Sequence, residues 1–107
     1  MDKKIATLLS NANNQYCEFK STCDALMKEA HKHLTFYDYS AYCGTDMDGT
    51  ISFFFEIPVY DEEGNEIDFD EGHFVSRNIV VSVRTFFDNL PKNRKYTPNQ
   101  LAEINEA

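Results

Sequence analysis

Apolar residues at Ile5, Leu8, Leu9, Ala12, Tyr16, Phe19, Cys23, Leu26, Met27, Ala30 and Leu34 follow one another by threes and fours. That is the single stripe of an amphipathic helix, and it predicts helix over about residues 2 to 34. Unbroken, such a helix would be roughly 50 Å long, awkward for a chain this short. A break or bend is therefore expected in Ser10-Asn11-Ala12-Asn13-Asn14, because Asn competes for the backbone and suits caps. The pattern reads either as one helix or as a helix pair sharing a register.

After Leu34 the period changes to two. Residues 36 to 43, FYDYSAYC, read as a strand. In 50 to 60, TISFFFEIPVY, one face holds Ile51, Phe53, Phe55, Ile57 and Val59, and the other holds Thr50, Ser52, Phe54, Glu56, Pro58 and Tyr60. In 74 to 87, FVSRNIVVSVRTFF, one face takes Val75, Ile79, Val81, Val83 and Phe87. Ser76, Asn78, Val80, Ser82, Arg84 and Phe86 fall opposite. Alternation of this kind predicts a half-buried antiparallel sheet. A further short strand is expected at 66 to 70, after a Glu63-Gly64-Asn65 turn. Near the C-terminus Thr97 as N-cap, Pro98 at the first helical position and Gln100 form a capping box, opening a helix from 98 to about 105 with Leu101 and Ile104 as docking residues. The predicted class is α+β: an N-terminal helix or helix pair on a three- to four-stranded antiparallel meander, with a short C-terminal helix.

The 107 residues make one domain, 1 to 107, with a single modest core. No apolar run reaches the roughly 18 to 20 residues of a membrane span. The N-terminus is a poor signal peptide. Three cysteines, Cys17, Cys23 and Cys43, are an odd number, which does not suit a secreted disulfide framework and predicts free thiols in the cytoplasm.

Charge changes the picture more than composition does. The net charge is −8, which argues against direct binding to nucleic acid. Between Lys32 and Arg77 there is no Lys or Arg. That stretch carries eleven acids: Asp38, Asp46, Asp48, Glu56, Asp61, Glu62, Glu63, Glu66, Asp68, Asp70 and Glu71. The remainder of the chain is net +3. If 66 to 70 is extended, Glu66, Asp68 and Asp70 share one face at a step of about 6.6 Å, a row resembling the repeating charges of a phosphate backbone. The alternative for this segment is a solvated hairpin that keeps the protein soluble and guards a sheet edge.

The stretch TDMDGTIS, 45 to 52, invites two chemical readings. Asp-x-Asp-Gly-Thr resembles the nucleophile loop of phosphoryl-transfer hydrolases, but there the first Asp ends a parallel strand and a helix follows; here a strand pattern follows. As a calcium loop centred on Gly49 it has Gly44 at the first position and Phe55 at the twelfth, where a bidentate Glu belongs. A hairpin turn remains, with Asp48 and Gly49 as the two central residues of type I′. The zinc-ligand types Cys17, Cys23, His31, His33, Cys43 and His73 lack close repeated pairs, so no metal is expected. No P-loop, nucleotide-binding glycine motif or nucleophile elbow occurs. No catalytic residue and no cofactor is predicted. Lys92, Arg94 and Lys95 read as a solvated basic loop.

The outer sheet face is the second candidate surface. Phe54, Tyr60, Val80 and Phe86 lie opposite the main apolar face. Either the C-terminal helix covers them through Leu101 and Ile104, or they stand free as an interface core. The reading that follows is a non-catalytic acidic inhibitor acting on a protein partner with a basic nucleic-acid-binding surface. That is the anti-restriction, anti-CRISPR or DNA-mimic type, carried by phages or mobile elements. Its binding residues would be Asp46, Asp48, Asp61, Glu62, Glu63, Glu66, Asp68, Asp70, Glu71, Phe54 and Tyr60. The alternatives are a structural or adaptor subunit forming a homodimer through the aromatic face, an immunity protein against a basic toxin, or an enzyme whose site the spacing does not reveal.

Overall fold

The structure is a computed structural model that describes residues 1–58, 68–70, 73–74, 76–92 and 94–106. In chain order it comprises α1 (Lys3–His31), β1 (Ser40–Thr45), β2 (Ile51–Pro58), β3 (Asp68–Asp70), β4 (His73–Phe74), β5 (Ser76–Ser82), α2 (Val83–Asp88) and α3 (Pro98–Glu106). The class is α+β, as the pattern predicted. The main sheet is antiparallel with order β1-β2-β5, while β3 and β4 pair separately as a small ribbon.

The helix is not broken at the Asn cluster. It runs 29 residues, about 43 Å at 1.5 Å per residue. An exposed Asn costs only a few tenths of a kcal/mol in a helix interior, and no Gly or Pro interrupts the segment. Asp2 caps it, its carboxylate accepting from the backbone N–H of Lys4. The hydroxyls of Thr7 and Thr22 donate back to the carbonyls of Lys3 and Glu18, so they do not compete with the helix. The buried positions of α1 are Cys23, Met27 and Ala30, all in its last third.

On the inner sheet face Phe53, Phe55, Ile57, Ile79 and Val81 are buried, as the alternation predicted. Strand β1 starts later than expected. Residues 36 to 39 are irregular and Phe36 turns into the core. The strand pattern of 74 to 87 also ends early, at Ser82. There the Ser82 hydroxyl accepts from the backbone N–H of Thr85 and caps α2. Val83, Phe86, Phe87 and Leu90 then follow helical spacing, which the alternation masked. Phe86, expected on the outer face, is instead fully buried. Its ring sits 5.1 Å from Phe53, 5.0 Å from Phe87 and 4.8 Å from Tyr96. The capping box of α3 is present: Thr97 N–H donates to the Gln100 side chain and Gln100 N–H to the Thr97 hydroxyl. Leu101 and Ala102 seat α3 in the same core as α1 and the inner face. Among the described residues, no helix is long and apolar enough to cross a membrane.

Tyr96 fastens the C-terminal segment. Its hydroxyl donates to the carbonyl of Phe86, and its backbone pairs with His33 and Thr35. Burial pushes the phenol up to about 12. The folded protein therefore holds this proton more tightly than the unfolded chain. The resulting stability is fully present below pH 10 and is lost as pH rises through about 12. Tyr96→Phe is expected to lower stability by about 1 kcal/mol at neutral pH and to flatten this alkaline loss, read by urea unfolding across pH. Phe86→Ala, at the centre of the ring cluster, is expected to cost about 3–5 kcal/mol in the same assay.

Candidate protein-binding surface

The hairpin joining β1 to β2 sets which side chains face outward. Thr45 pairs with Ile51, and beyond that pair Asp46 N–H bonds the Thr50 carbonyl. Gly49 N–H bonds the Asp46 carbonyl, and Gly49 has φ 82°, while Asp48 stays at negative φ. The turn was expected; its type is different. It is a three-residue loop, Met47 to Gly49, with glycine in the left-handed region, rather than a two-residue type I′ turn. The carboxylate of Asp46 organises it. One oxygen accepts from the backbone N–H groups of Asp48 (2.9 Å) and Thr50 (3.0 Å), and the other from the Ser52 hydroxyl (3.4 Å). Of the two acids predicted here, Asp46 is engaged in the turn and Asp48 is exposed.

This loop length pairs Tyr42 with Phe54, and the separate pairing of β2 with β5 sets Phe54 beside Val80. The three side chains cross the outer face of the sheet in one row. Tyr42 and Phe54 stack with centroids 4.7 Å apart and planes 7° from parallel. Tyr42 is 63% exposed, Val80 is exposed and Phe54 half-buried. The next row holds Ser40, Glu56 and Asn78, with Glu56 accepting from the Ser76 hydroxyl at 3.1 Å. Together these rows line a shallow depression of about 290 Å³. The α3 helix does not cover this face, because Leu101 belongs to the core on the opposite side.

The structure thus keeps Phe54 and Val80 on the outer face, removes Phe86 from it, and adds Tyr42. Tyr60, Asp61, Glu62, Glu63, Glu66 and Glu71 lie outside the described residues. Asp68 and Asp70 lie in β3, which pairs with β4. That strand is three residues long and its register shifts between Asp68 and Asp70; residues 66 and 67 of the strand expected over 66 to 70 lie outside the described residues. Pairing Tyr42 with Phe54 from sequence required the loop length, and that depends on the Asp46 side chain.

The zinc-ligand types are dispersed. His31 bonds the Tyr39 hydroxyl, and His33 Nδ1 meets the Arg94 carbonyl at 2.9 Å. Among the described residues, no three His, Cys, Asp or Glu side chains are grouped to hold a metal ion. The three thiols are free. Cys17 is exposed, Cys23 buried and Cys43 half-buried. Burial first, then a hydrogen bond with Cys23 and the negative charges of Cys23 and Asp24, push the Cys43 thiol up to about 12. Since the thiolate is the reactive species, one thiol, Cys17, is expected to react quickly with a disulfide reagent at neutral pH. The other two should react only on unfolding. A Cys17→Ser variant that still gave one fast equivalent would contradict this assignment. Comparison of the chain with family models, with curated proteins and with solved structures finds no match.

Proposed function

We propose that the protein is a non-catalytic binding protein whose outer sheet face and acidic segment engage a partner with a basic, nucleic-acid-binding surface, and so inhibit that partner. The observation that carries this reading is the row of Tyr42, Phe54 and Val80 on the outer face, two of whose three residues, Tyr42 and Phe54, belong to the stretch between Lys32 and Arg77 that has eleven acids and no Lys or Arg. A stacked aromatic pair, one ring exposed and one half-buried, with Ser40, Glu56 and Asn78 in the next row has the composition of an interface, apolar at its centre and polar at its rim. The rim gives fast, oriented encounter with a basic protein, and the stacked rings supply contact that survives desolvation. A partner built to grip phosphates would find carboxylates at the hairpin Asp48, at Glu56 and along the 61 to 71 segment.

The test uses the immobilised full chain and lysate of its host, with bound proteins identified by mass spectrometry. A captured nucleic-acid-binding protein should be released as salt rises and displaced by duplex DNA added as competitor. Reversing Glu66, Asp68 and Asp70 to Lys should cut its recovery at least about tenfold, and Tyr42→Ala or Phe54→Ala should do so with the fold retained and about 1 kcal/mol of stability lost with the stack. Capture that resists both salt and duplex competitor, or that is unchanged by these substitutions, would overturn the reading.

A further inference from the structure

The first two thirds of α1 carries an apolar stripe that its own chain does not cover. Ile5, Leu8, Leu9, Tyr16 and Phe19 are each between 38% and 63% exposed, on the same helical stripe as the buried Cys23 and Ala30. The geometry explains why. Strand β1 runs alongside α1 in the opposite direction: Tyr39 meets His31, Cys43 meets Cys23, and residues 42 to 45 share a groove with Tyr16 and Phe19. The sheet then turns back at Met47 to Gly49, while the helix continues toward Lys3. The molecule is accordingly 62 Å long and 22 Å thick.

A projecting helix of about 15 residues, with Asn at 11, 13 and 14, has little stability in water unless its apolar face is packed. We infer that this face packs against the same face of a second copy, with the two α1 helices antiparallel and crossing at Ala12. Three features on the page select this occupant and this orientation.

The first is the pattern. Ile5, Leu9, Ala12, Tyr16, Phe19, Cys23, Leu26 and Ala30 alternate steps of four and three without a slip, the heptad spacing of paired helices. About Ala12 the exposed apolar side chains are largely balanced, Leu9 falling opposite the polar Gln15. In an antiparallel pair Ile5 lies opposite Phe19, and Leu8 lies opposite Tyr16. Small Ala12 meets itself, where the helices come closest. Each bulky ring then faces an aliphatic side chain, whereas a parallel pair would set Tyr16 on Tyr16 and Phe19 on Phe19.

Charge is the second. Residues 1 to 22 carry Lys3, Lys4 and Lys20 against Asp2 and Glu18, net +1, and the rest of the chain carries −9. The positions flanking the stripe in this region are mostly uncharged, including Asn13, Gln15 and Thr22. Antiparallel pairing places the two acidic bodies at opposite ends; parallel pairing would set them side by side. It also brings Lys3 and Lys4 of the second copy level with residues 20 and 21. There Lys4 comes level with Lys20, which lines the groove together with Asp24, so this contact sets one like-charged pair beside one carboxylate.

Area is the third. The five exposed side chains present roughly 500 Å² per copy, so a pair buries roughly 1,000 Å² from these side chains alone, close to the low end of specific interfaces. Stems of flanking residues add to it.

Sedimentation of the purified full chain, with no other protein present, tests this. The expected mass is twice the 12.4 kDa of the chain at micromolar concentration, at low and at high salt alike. Leu9→Glu should weaken association at least about tenfold while the thermal transition of the body stays in place. In a Cys17→Ser background, Ala12→Cys should form a disulfide-linked dimer. Ile5→Cys should not link to itself but should link to Phe19→Cys when the two variants are mixed. A monomer at all concentrations, a dimer lost at high salt or unaffected by Leu9→Glu, or self-linking of Ile5→Cys would each overturn the inference.

Discussion

The Asp46 carboxylate holds the β1–β2 loop at three residues by collecting the N–H groups of Asp48 and Thr50 and the Ser52 hydroxyl, and the register of β1 on the rest of the sheet depends on that count. A strand shows alternate side chains to alternate faces, so a slip of one residue inverts an entire strand. With a two-residue loop, Tyr42 would pair with Phe55 and point into the core, and Ala41 and Cys43 would point out. With three residues, Ala41 and Cys43 pack inward, Cys43 reaches Cys23, and Tyr42 lies on Phe54 outside. The outer aromatic surface is therefore a consequence of one side chain in a turn. What first looks like a phosphotransfer or calcium motif is a register device.

A second constraint is a mismatch of lengths. Among the described residues the longest strand, β2, has eight residues and spans about 27 Å, against about 43 Å for α1. Every buried residue of α1 lies where the sheet is, and every large exposed apolar one lies at or beyond the groove that ends it. The core is then completed from the other end of the chain. Phe86 and Tyr96 join the rings of Phe53 and Phe87, and Leu101 closes the layer. Ile5, Leu8 and Leu9 lie beyond the end of that core, on the part of α1 that outruns the sheet.

Sequence period was sufficient wherever one rule acted alone. The α1 stripe, the inner faces of β2 and β5 and the Thr97–Gln100 box were legible because each rests on local spacing. It failed where two rules met. Ser82 both ends an alternating run and caps a helix, and Val83, Phe86 and Phe87 satisfy both periods, so strand was read where helix forms. Phe86 was thereby assigned to the wrong side of the sheet. The Asn cluster suggests a break or bend because Asn suits caps, yet an exposed Asn without a neighbouring Gly or Pro does not interrupt this helix. The outer surface was half legible: Phe54 and Val80 follow from strand parity, whereas Tyr42 needs the loop length.

The two proposed surfaces answer to different forces. Contact between an acidic face and a basic partner weakens as salt screens it, over a Debye length of about 8 Å at physiological ionic strength. Pairing of the α1 stripes rests on apolar burial and strengthens, if anything, as repulsion between two bodies of charge −9 is screened. Salt thus moves the two associations in opposite directions. The Tyr42–Phe54 stack lies on the side of the sheet away from the core that α1 shares, and Tyr42 also borders the groove with Tyr16 and Phe19, so the two surfaces adjoin at that ring. A pair joined at Ala12 would carry two such faces at its far ends. A partner with two basic sites would then bind with an avidity fixed by that spacing rather than by any further contact.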